Sequence, residues 1–502
     1  MKRSRNFTTL PDNKQAPMVS FSPFLRTSLI LALLIYVYLL TSCTPPSDTA
    51  EESLEEKITR IENSLQPNLQ IEGDSVPRYN IEERMRELGI PGLSVAVLYS
   101  GEIEWAKGYG IADSSENRPV TTETMFLAGS ISKPVAATRA HQLAEAGHIS
   151  LDSNVNNYLS SWKVPDNDFT VTEKVTIRRI LNHTAGLTVW GFPGYDKGDT
   201  IPSTVDVLDG KGNTDAVRVY KQPGASWMYS GGGYTIMQLM LTDLEKESFP
   251  AIMQANVLDP LGMGASTYEN PLPEKYHAIA ATGYRMNGDE VEGKWPIYPE
   301  MAAAGLWTTP SQLILWPKEI QAILQNQEDG LLTKETVNEM LIPGMNDHGL
   351  GPVVSKHTFG HGGADEGFRA NMLAWKEKPV AVVIMVNSDN GSIMQELLIS
   401  IANEYDLPGV EPDVRSVVDL TEEQRQLMVG TYDFPSLGNA QVALKDNGLE
   451  LTARFLYEPI FLLPASDSTF FNKKNGRNFT FTYDNGAVNS LKVQQFEGTK
   501  IE

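Results

Sequence analysis

Gly129-Ser130-Ile131-Ser132-Lys133-Pro134-Val135-Ala136-Ala137 is the stretch that decides the fold. Its serine and lysine stand three residues apart, and on a helix that spacing puts both side chains on one face. Gly129 allows a tight entry to the turn, and Pro134 falls in the first helical turn, where a missing N–H costs nothing. Val135, Ala136, Ala140, Leu143 and Ala144 then form an apolar stripe ended by Gly147. A serine hydroxyl is a poor nucleophile until a neighbouring base takes its proton, and a lysine in a partly desolvated pocket can assist. Backbone N–H groups at a helix start can also face a developing oxyanion. This is a serine acyl-transfer site in outline, although the same residues suit an ordinary helix cap.

A second literal match, Ser160-Ser161-Trp162-Lys163, lies thirty residues on. It leads into Val164-Pro165-Asp166-Asn167-Asp168, which breaks regular structure at once and reads as a surface loop.

Leu29 to Leu40 is an unbroken apolar run, too short for a comfortable membrane span. With Arg26 before it and Leu40-Thr41-Ser42-Cys43 after it, the segment resembles a bacterial lipoprotein signal peptide cleaved ahead of a lipidated Cys43. A plain signal anchor is the other reading. Cys43 is the only cysteine in the chain, so no intramolecular disulfide accounts for it, and Thr44-Pro45-Pro46-Ser47-Asp48 reads as a flexible tether. The basic region before the apolar run is long, so Met18 is an alternative start to Met1. The expected location is a bacterial cell envelope, lipid-anchored and facing the periplasm or the exterior. Formal net charge of -22 disfavours nucleic acid and anionic membrane surfaces as partners.

Along the chain, Leu54, Ile58, Ile61 and Leu65 recur at helical spacing among acidic residues, and a second helix is expected at Ile81 to Leu88. Leu93 to Tyr99 and Glu102 to Tyr109 alternate around Ser100-Gly101, a two-residue hairpin signal. From Thr138 to about Leu341 the chain is mostly helical and loop-rich. Sheet signals return at Phe368 to Trp375 and Val380 to Val386, followed by a helix from Met394 to Tyr405. Strands at both ends of a helical middle imply one sheet closed by its first and last segments, with a separate helical lobe and a cleft between them. Beyond Leu407-Pro408-Gly409-Val410-Glu411-Pro412 come short strands, with turns at Asp446-Asn447-Gly448 and Asp484-Asn485-Gly486.

Two later segments offer what a serine and lysine still lack. Tyr229-Ser230-Gly231-Gly232-Gly233-Tyr234 opens a helix with the stripe Ile236, Met237, Met240, Leu241 and Leu244. Gly360-His361-Gly362-Gly363-Ala364 precedes the Phe368 strand, where glycines let a substrate lie against the backbone and the Ala364 N–H can pair with that of Ser130 as an oxyanion hole.

On these motifs the chain resembles the serine β-lactamase and penicillin-binding protein superfamily in its class C branch, which includes D-alanyl-D-alanine carboxypeptidases, D-aminopeptidases and esterases. The family's Ser-x-x-Lys, Tyr-x-Asn and Lys/His-x-Gly appear in order as Ser130/Lys133, Tyr229 and His361/Gly363. The likeness runs from about Ile81 to Tyr405, through Leu181-Asn182-His183-Thr184-Ala185-Gly186-Leu187 and Ala304-Gly305-Leu306-Trp307-Thr308-Thr309-Pro310. Val429-Gly430-Thr431-Tyr432 and Leu463-Pro464-Ala465-Ser466-Asp467 are similar to the β domain appended to many such hydrolases.

The resemblance implies an α/β, β-lactamase/transpeptidase-like fold: an antiparallel sheet flanked by terminal helices, a helical lobe, and a small C-terminal all-β domain. The expected division is signal peptide and lipobox 1–43, tether and amphipathic segment 44–70, serine hydrolase domain 71–406, linker 407–416 and accessory β domain 417–502. Ser130 is then the acylated nucleophile, Lys133 and Tyr229 share the proton work, and His361, Gly363 and Ala364 line the substrate and oxyanion side. No cofactor and no metal is expected; the partner is a small ester or amide.

Two positions depart from the family. Gly231 stands where it has asparagine, removing an amide that contacts the lysine and the substrate's acylamide. His361 stands where many β-lactamases have lysine, leaving less positive charge for a substrate carboxylate. Both favour an esterase or small-amide hydrolase over a D-amino-acid peptidase, a D-alanyl-D-alanine carboxypeptidase or a β-lactamase; a lipid-anchored binding protein without turnover is the rival of another class. Among look-alikes, Tyr268-Glu269-Asn270 falls in a loop before Pro271, and Ser388-Asp389-Asn390 follows a buried strand where a turn suffices. His357 and His361 lack a third ligand for a metal, and His183 reads as structural.

Overall fold

The computed structural model describes Met18 and residues 53–325, 330–435, 437–456, 458–494 and 496–502. The expected signal peptide, Cys43 and the tether lie outside the described residues. Among the described residues, no helix is long and apolar enough to cross a membrane.

The main sheet has seven strands, all antiparallel. In spatial order they are Arg118–Pro119, Glu102–Asp113, Gly92–Tyr99, Ala381–Val386, Phe368–Trp375, Thr358–Asp365 and Val353–Val354. The first long strand therefore pairs with the last, which closes the sheet over nearly three hundred intervening residues. Ser100 and Gly101, with φ of 52° and 82°, make the hairpin between Gly92–Tyr99 and Glu102–Asp113.

Gly92–Tyr99 does not alternate in exposure; it is buried along almost its whole length. The reason is that both faces of the sheet are covered. Leu93, Val95 and Val97 join one core with Val382, Ile384 and Val386, under helices Ile81–Leu88 and Ser392–Glu404. Ala96 and Leu98 point into the other core, with Val383 and Met385, beneath the helical lobe. The two covering helices are joined by Arg84, whose guanidinium grips the Glu396 carboxylate at 2.8 and 2.7 Å. Helix Ile81–Leu88 starts on an Asn80 cap and ends at Gly89 in the left-handed region.

The segment after the sheet is held by specific contacts. Leu407 and Val410 are buried in the outer core, the Trp375 indole donates to the Pro408 carbonyl at 2.8 Å, and Asp413–Arg415 pairs in parallel with Leu69–Ile71. Eight strands from Gly430 to Lys500 then run up and down into a closed barrel, each paired with its sequence neighbour and the first with the last. Tyr432, Leu449, Leu462, Phe470, Phe481 and Leu491 fill it.

Candidate active site

The Ser130 segment is built as a 3-10 turn, Gly129–Ile131, continuing into helix Ser132–Glu145. Residues Ile131 to Ala137 are buried while Ser130 is half-buried, so the hydroxyl is the one group of the turn left within reach. Ser132, between the two motif residues, ties the turn down: its Oγ accepts from the Leu306 N–H at 3.0 Å, and its carbonyl accepts from the Tyr268 hydroxyl at 2.8 Å. Tyr268 is thus a buried strut beneath the motif.

The turn is pressed edge-on against strand Thr358–Asp365. Gly129 has φ of 53°, and a Cβ there would come within 2.5 Å of the Ala364 nitrogen; a Cβ on Gly363 would come within 2.0 Å of the Ala128 carbonyl oxygen. Only glycine permits that approach from either side. It sets Ser130 beside the Gly363–Ala364 peptide.

Lys133 is buried, and its Nζ donates to Ser130 Oγ at 2.9 Å and to the Ala303 carbonyl at 2.8 Å. Ala303 arrives on the short helix Met301–Ala304, positioned by the pairing of Trp307–Thr308 with Phe126–Leu127. Lys133 Nζ lies 4.9 Å from the centroid of the Tyr229 ring. Tyr229 directly precedes Ser230, the N-cap of helix Gly231–Glu245, whose hydroxyl accepts from the Gly233 N–H at 3.0 Å.

His183 orients this tyrosine. Its Nδ1 accepts from the Ser230 N–H at 3.1 Å, its carbonyl accepts from the Met228 N–H at 2.7 Å, and its ring lies 4.2 Å from that of Tyr229. Its left-handed backbone, φ 58°, folds the 181–187 segment around the site.

His361 lies 6.3 Å from Tyr229, ring to ring, and its Nδ1 is 2.6 Å from the Gly362 carbonyl, so that nitrogen carries the proton. Burial and the Lys133 charge push the His361 imidazole down to about 3. His183 is held well below its ordinary value by the same causes, and His348 is lowered chiefly by burial. All three are therefore neutral at pH 7. His348 sits within 5.1 Å of His183 and 6.2 Å of His361, yet no motif marks it in the sequence.

Gly231 is closely covered by the loop before it. A Cβ there would meet the Phe192 ring at 2.8 Å and the Trp190 carbonyl at 3.2 Å, and the Gly231 N–H donates to that carbonyl at 3.1 Å. The 188–192 loop thus occupies the space above Gly231.

Two buried carboxyls complete the surroundings. Glu300 caps the Met301–Ala304 helix with both side-chain oxygens unpartnered among the described residues, and burial pushes it up to about 7. Asp365 ends the strand beside Gly129; burial pushes it up to about 8. A single acidic residue amid Tyr298-Pro299-Glu300-Met301-Ala302-Ala303 is the only sequence signal for Glu300.

The look-alikes lie elsewhere. The Lys163 amine donates to the Asn156 and Leu159 carbonyls, while the Ser160 N–H is held by Asp243. Ser388 accepts from the Asn390 N–H in a turn. Among the described residues, no group of three or more His, Cys, Asp or Glu side chains is placed to hold a metal ion.

With sheet, helical lobe and site described, the fold is of the β-lactamase/transpeptidase type with an added barrel. The beta-lactamase family model matches residues 78–404, and the chain belongs to that family. Penicillin-binding protein 4* of Bacillus subtilis is 23% identical over 82% of this chain and 94% of its own length; the putative penicillin-binding protein PbpX of the same organism is 24% identical over 62% and 74%. Among solved structures, the octameric penicillin-binding protein homologue from Pyrococcus abyssi superposes with a TM-score of 0.58 at 20% identity, covering 83% of this chain and 98% of that one. SurE with D-Leu gives 0.53 at 22%, over 84% and 97%. Members of the family are serine hydrolases.

Proposed function

We propose that the chain is a serine hydrolase that forms an acyl-enzyme at Ser130, with esters or small amides as substrates. The observation that carries this reading is the 2.9 Å contact of the Lys133 amine with the half-buried Ser130 hydroxyl, beside Tyr229. The Ser130 proton passes to the Lys133/Tyr229 pair as Oγ bonds the acyl carbon, and the Ser130 and Ala364 N–H groups receive the oxyanion. Collapse expels the leaving group with that proton, and a water then releases the acid. A fluorophosphonate probe should modify Ser130, read by peptide mass spectrometry; a protein left unlabelled is a binding module instead.

Neutral His361 and the filled space above Gly231 set the substrate order. A carboxylate loses a charge-assisted partner and an acylamide loses its side-chain amide. Short p-nitrophenyl acyl esters should exceed nitrocefin and D-alanyl-D-alanine peptides in kcat/KM by at least ~10², about 2.7 kcal/mol of discrimination. Efficient nitrocefin hydrolysis would reverse this ranking. The penicillin-binding relatives favour a second reading, a peptidase of D-amino-acid or peptidoglycan substrates, and D-aminoacyl anilides exceeding the esters would select it. They also support a cell-envelope location. Cys43 is proposed as the lipid anchor, and an unmodified cysteine in the native protein would remove that part.

A further inference from the structure

Asp365 is a buried acid that the acyl-transfer scheme does not use, and its place in the fold is unusual. It follows Ala364 on the strand edge that packs against the Ala128–Gly129 turn, and its side chain is buried. Its Oδ2 has no partner among the described residues.

The cations nearby are engaged elsewhere. On the nucleophile helix, Lys133 donates to Ser130 and Ala303. On the adjacent strand, the Arg369 Nη1 donates to the Asp365 and Phe368 carbonyls and pairs with Asp389 at 3.0 Å. The other titratable neighbours are acids or neutral groups. Glu300 raises the Asp365 proton affinity further, Glu366 pairs with Arg285, and the Tyr298 hydroxyl accepts from the Glu366 N–H. Burial raises the Asp365 proton affinity by more than the Lys133 and Arg369 charges lower it, so the group stays protonated at neutral pH.

Resting on the acyl-enzyme reading, we propose that Asp365 is a positioning residue that supports acyl transfer only as the neutral acid. As an acid, it leaves the peptide groups around Ser130 free of negative charge. As a carboxylate it would repel the oxyanion forming beside Ala364. Ionisation therefore lowers activity from the alkaline side, and the raised proton affinity of the buried acid, about 8, puts that loss just above neutral pH.

The test is the pH profile of kcat/KM for p-nitrophenyl propionate between pH 6 and 9.5, on protein whose Ser130 labels with the fluorophosphonate. Absence of labelling would sink the acyl-enzyme reading and this proposal with it, whereas on labelled protein the pH profile tests the role of Asp365 by itself. The unmodified enzyme should lose at least ~10-fold across an apparent pKa near 8, and Asp365→Asn, which keeps shape and an acceptor oxygen, should lose that fall. Glu300→Gln removes the neighbouring negative charge and should move the fall to lower pH while keeping it. A flat profile in the unmodified enzyme overturns the proposal. So does Asp365→Asn lowering activity equally at every pH, as a purely structural residue would. Should Asp365→Asn fail to fold, a fall unmoved by Glu300→Gln overturns it as well.

Discussion

Ser130-Ile131-Ser132-Lys133 and Ser160-Ser161-Trp162-Lys163 have identical spacing, yet only in the first does the amine reach the serine hydroxyl. The first spans a 3-10 turn and the start of a helix, so the i, i+3 face exists, and burial leaves the ammonium few partners besides Ser130 and Ala303. The second lies on irregular surface backbone, where nearby carbonyls take the ammonium and Asp243 takes the Ser160 and Ser161 N–H groups. A short motif is therefore a local statement; whether it becomes a site depends on what burial denies the lysine.

The sharpest way to break this comparison is to exchange the roles. Ser130→Ala should abolish labelling and turnover, while Ser160→Ala should leave both within about twofold, because Ser160 is exposed, with its hydroxyl 3.4 Å from the Lys246 amine and its N–H on Asp243. Inactivation by Ser160→Ala would invert the assignment.

Next in size are the partners of Ser130. Lys133→Ala and Tyr229→Phe should each lower kcat by about 10² to 10⁴, and the double variant should be little worse, because residues acting as a unit are not additive. Single-turnover acylation rates measure this; additive losses would mean separate roles. Lys163→Ala, the matching change in the second segment, should fall within about twofold.

The third concerns why the first turn sits where it does. Gly363→Ala sets a methyl against the Ala128 carbonyl and should destabilise the protein by about 3 kcal/mol, with acylation falling further than stability alone requires. Denaturant unfolding with parallel labelling separates the two, and a fully active, undestabilised variant would remove the close-packing account.

Smallest is the effect expected around the second segment. Asp243→Ala frees the Ser160 and Ser161 N–H groups and should cost about 1 kcal/mol of stability without changing the kcat/KM of the folded fraction. A large loss of turnover would show that the Ser160 loop matters to the site.

The sheet and the all-β character of the C-terminal domain were legible because hydrophobic period and turn chemistry are local signals, whereas closure of its strands into a barrel was not. Ser100-Gly101 marked the hairpin, and the Phe368–Trp375 strand ends where its pattern ends. The reading of Leu93 to Tyr99 as alternating failed on a tertiary fact: a strand covered on both faces has no solvent side to alternate toward. Likewise the Leu407–Pro412 segment looks like a spacer by composition, yet Leu407 and Val410 are buried and the Pro408 carbonyl is bonded.

Sequence alone determined the family, through Ser130, Lys133, Tyr229 and His361 in order, and also the two departures at Gly231 and His361. Residue type and spacing are all that such motifs require. Only the tertiary structure decided which Ser-x-x-Lys has its amine on its serine, that Phe192 fills the space above Gly231, that His183 and His348 flank the tyrosine, and that Glu300 and Asp365 are acids kept from water. Those facts depend on desolvation and on contacts between residues far apart in the chain, which no local pattern encodes.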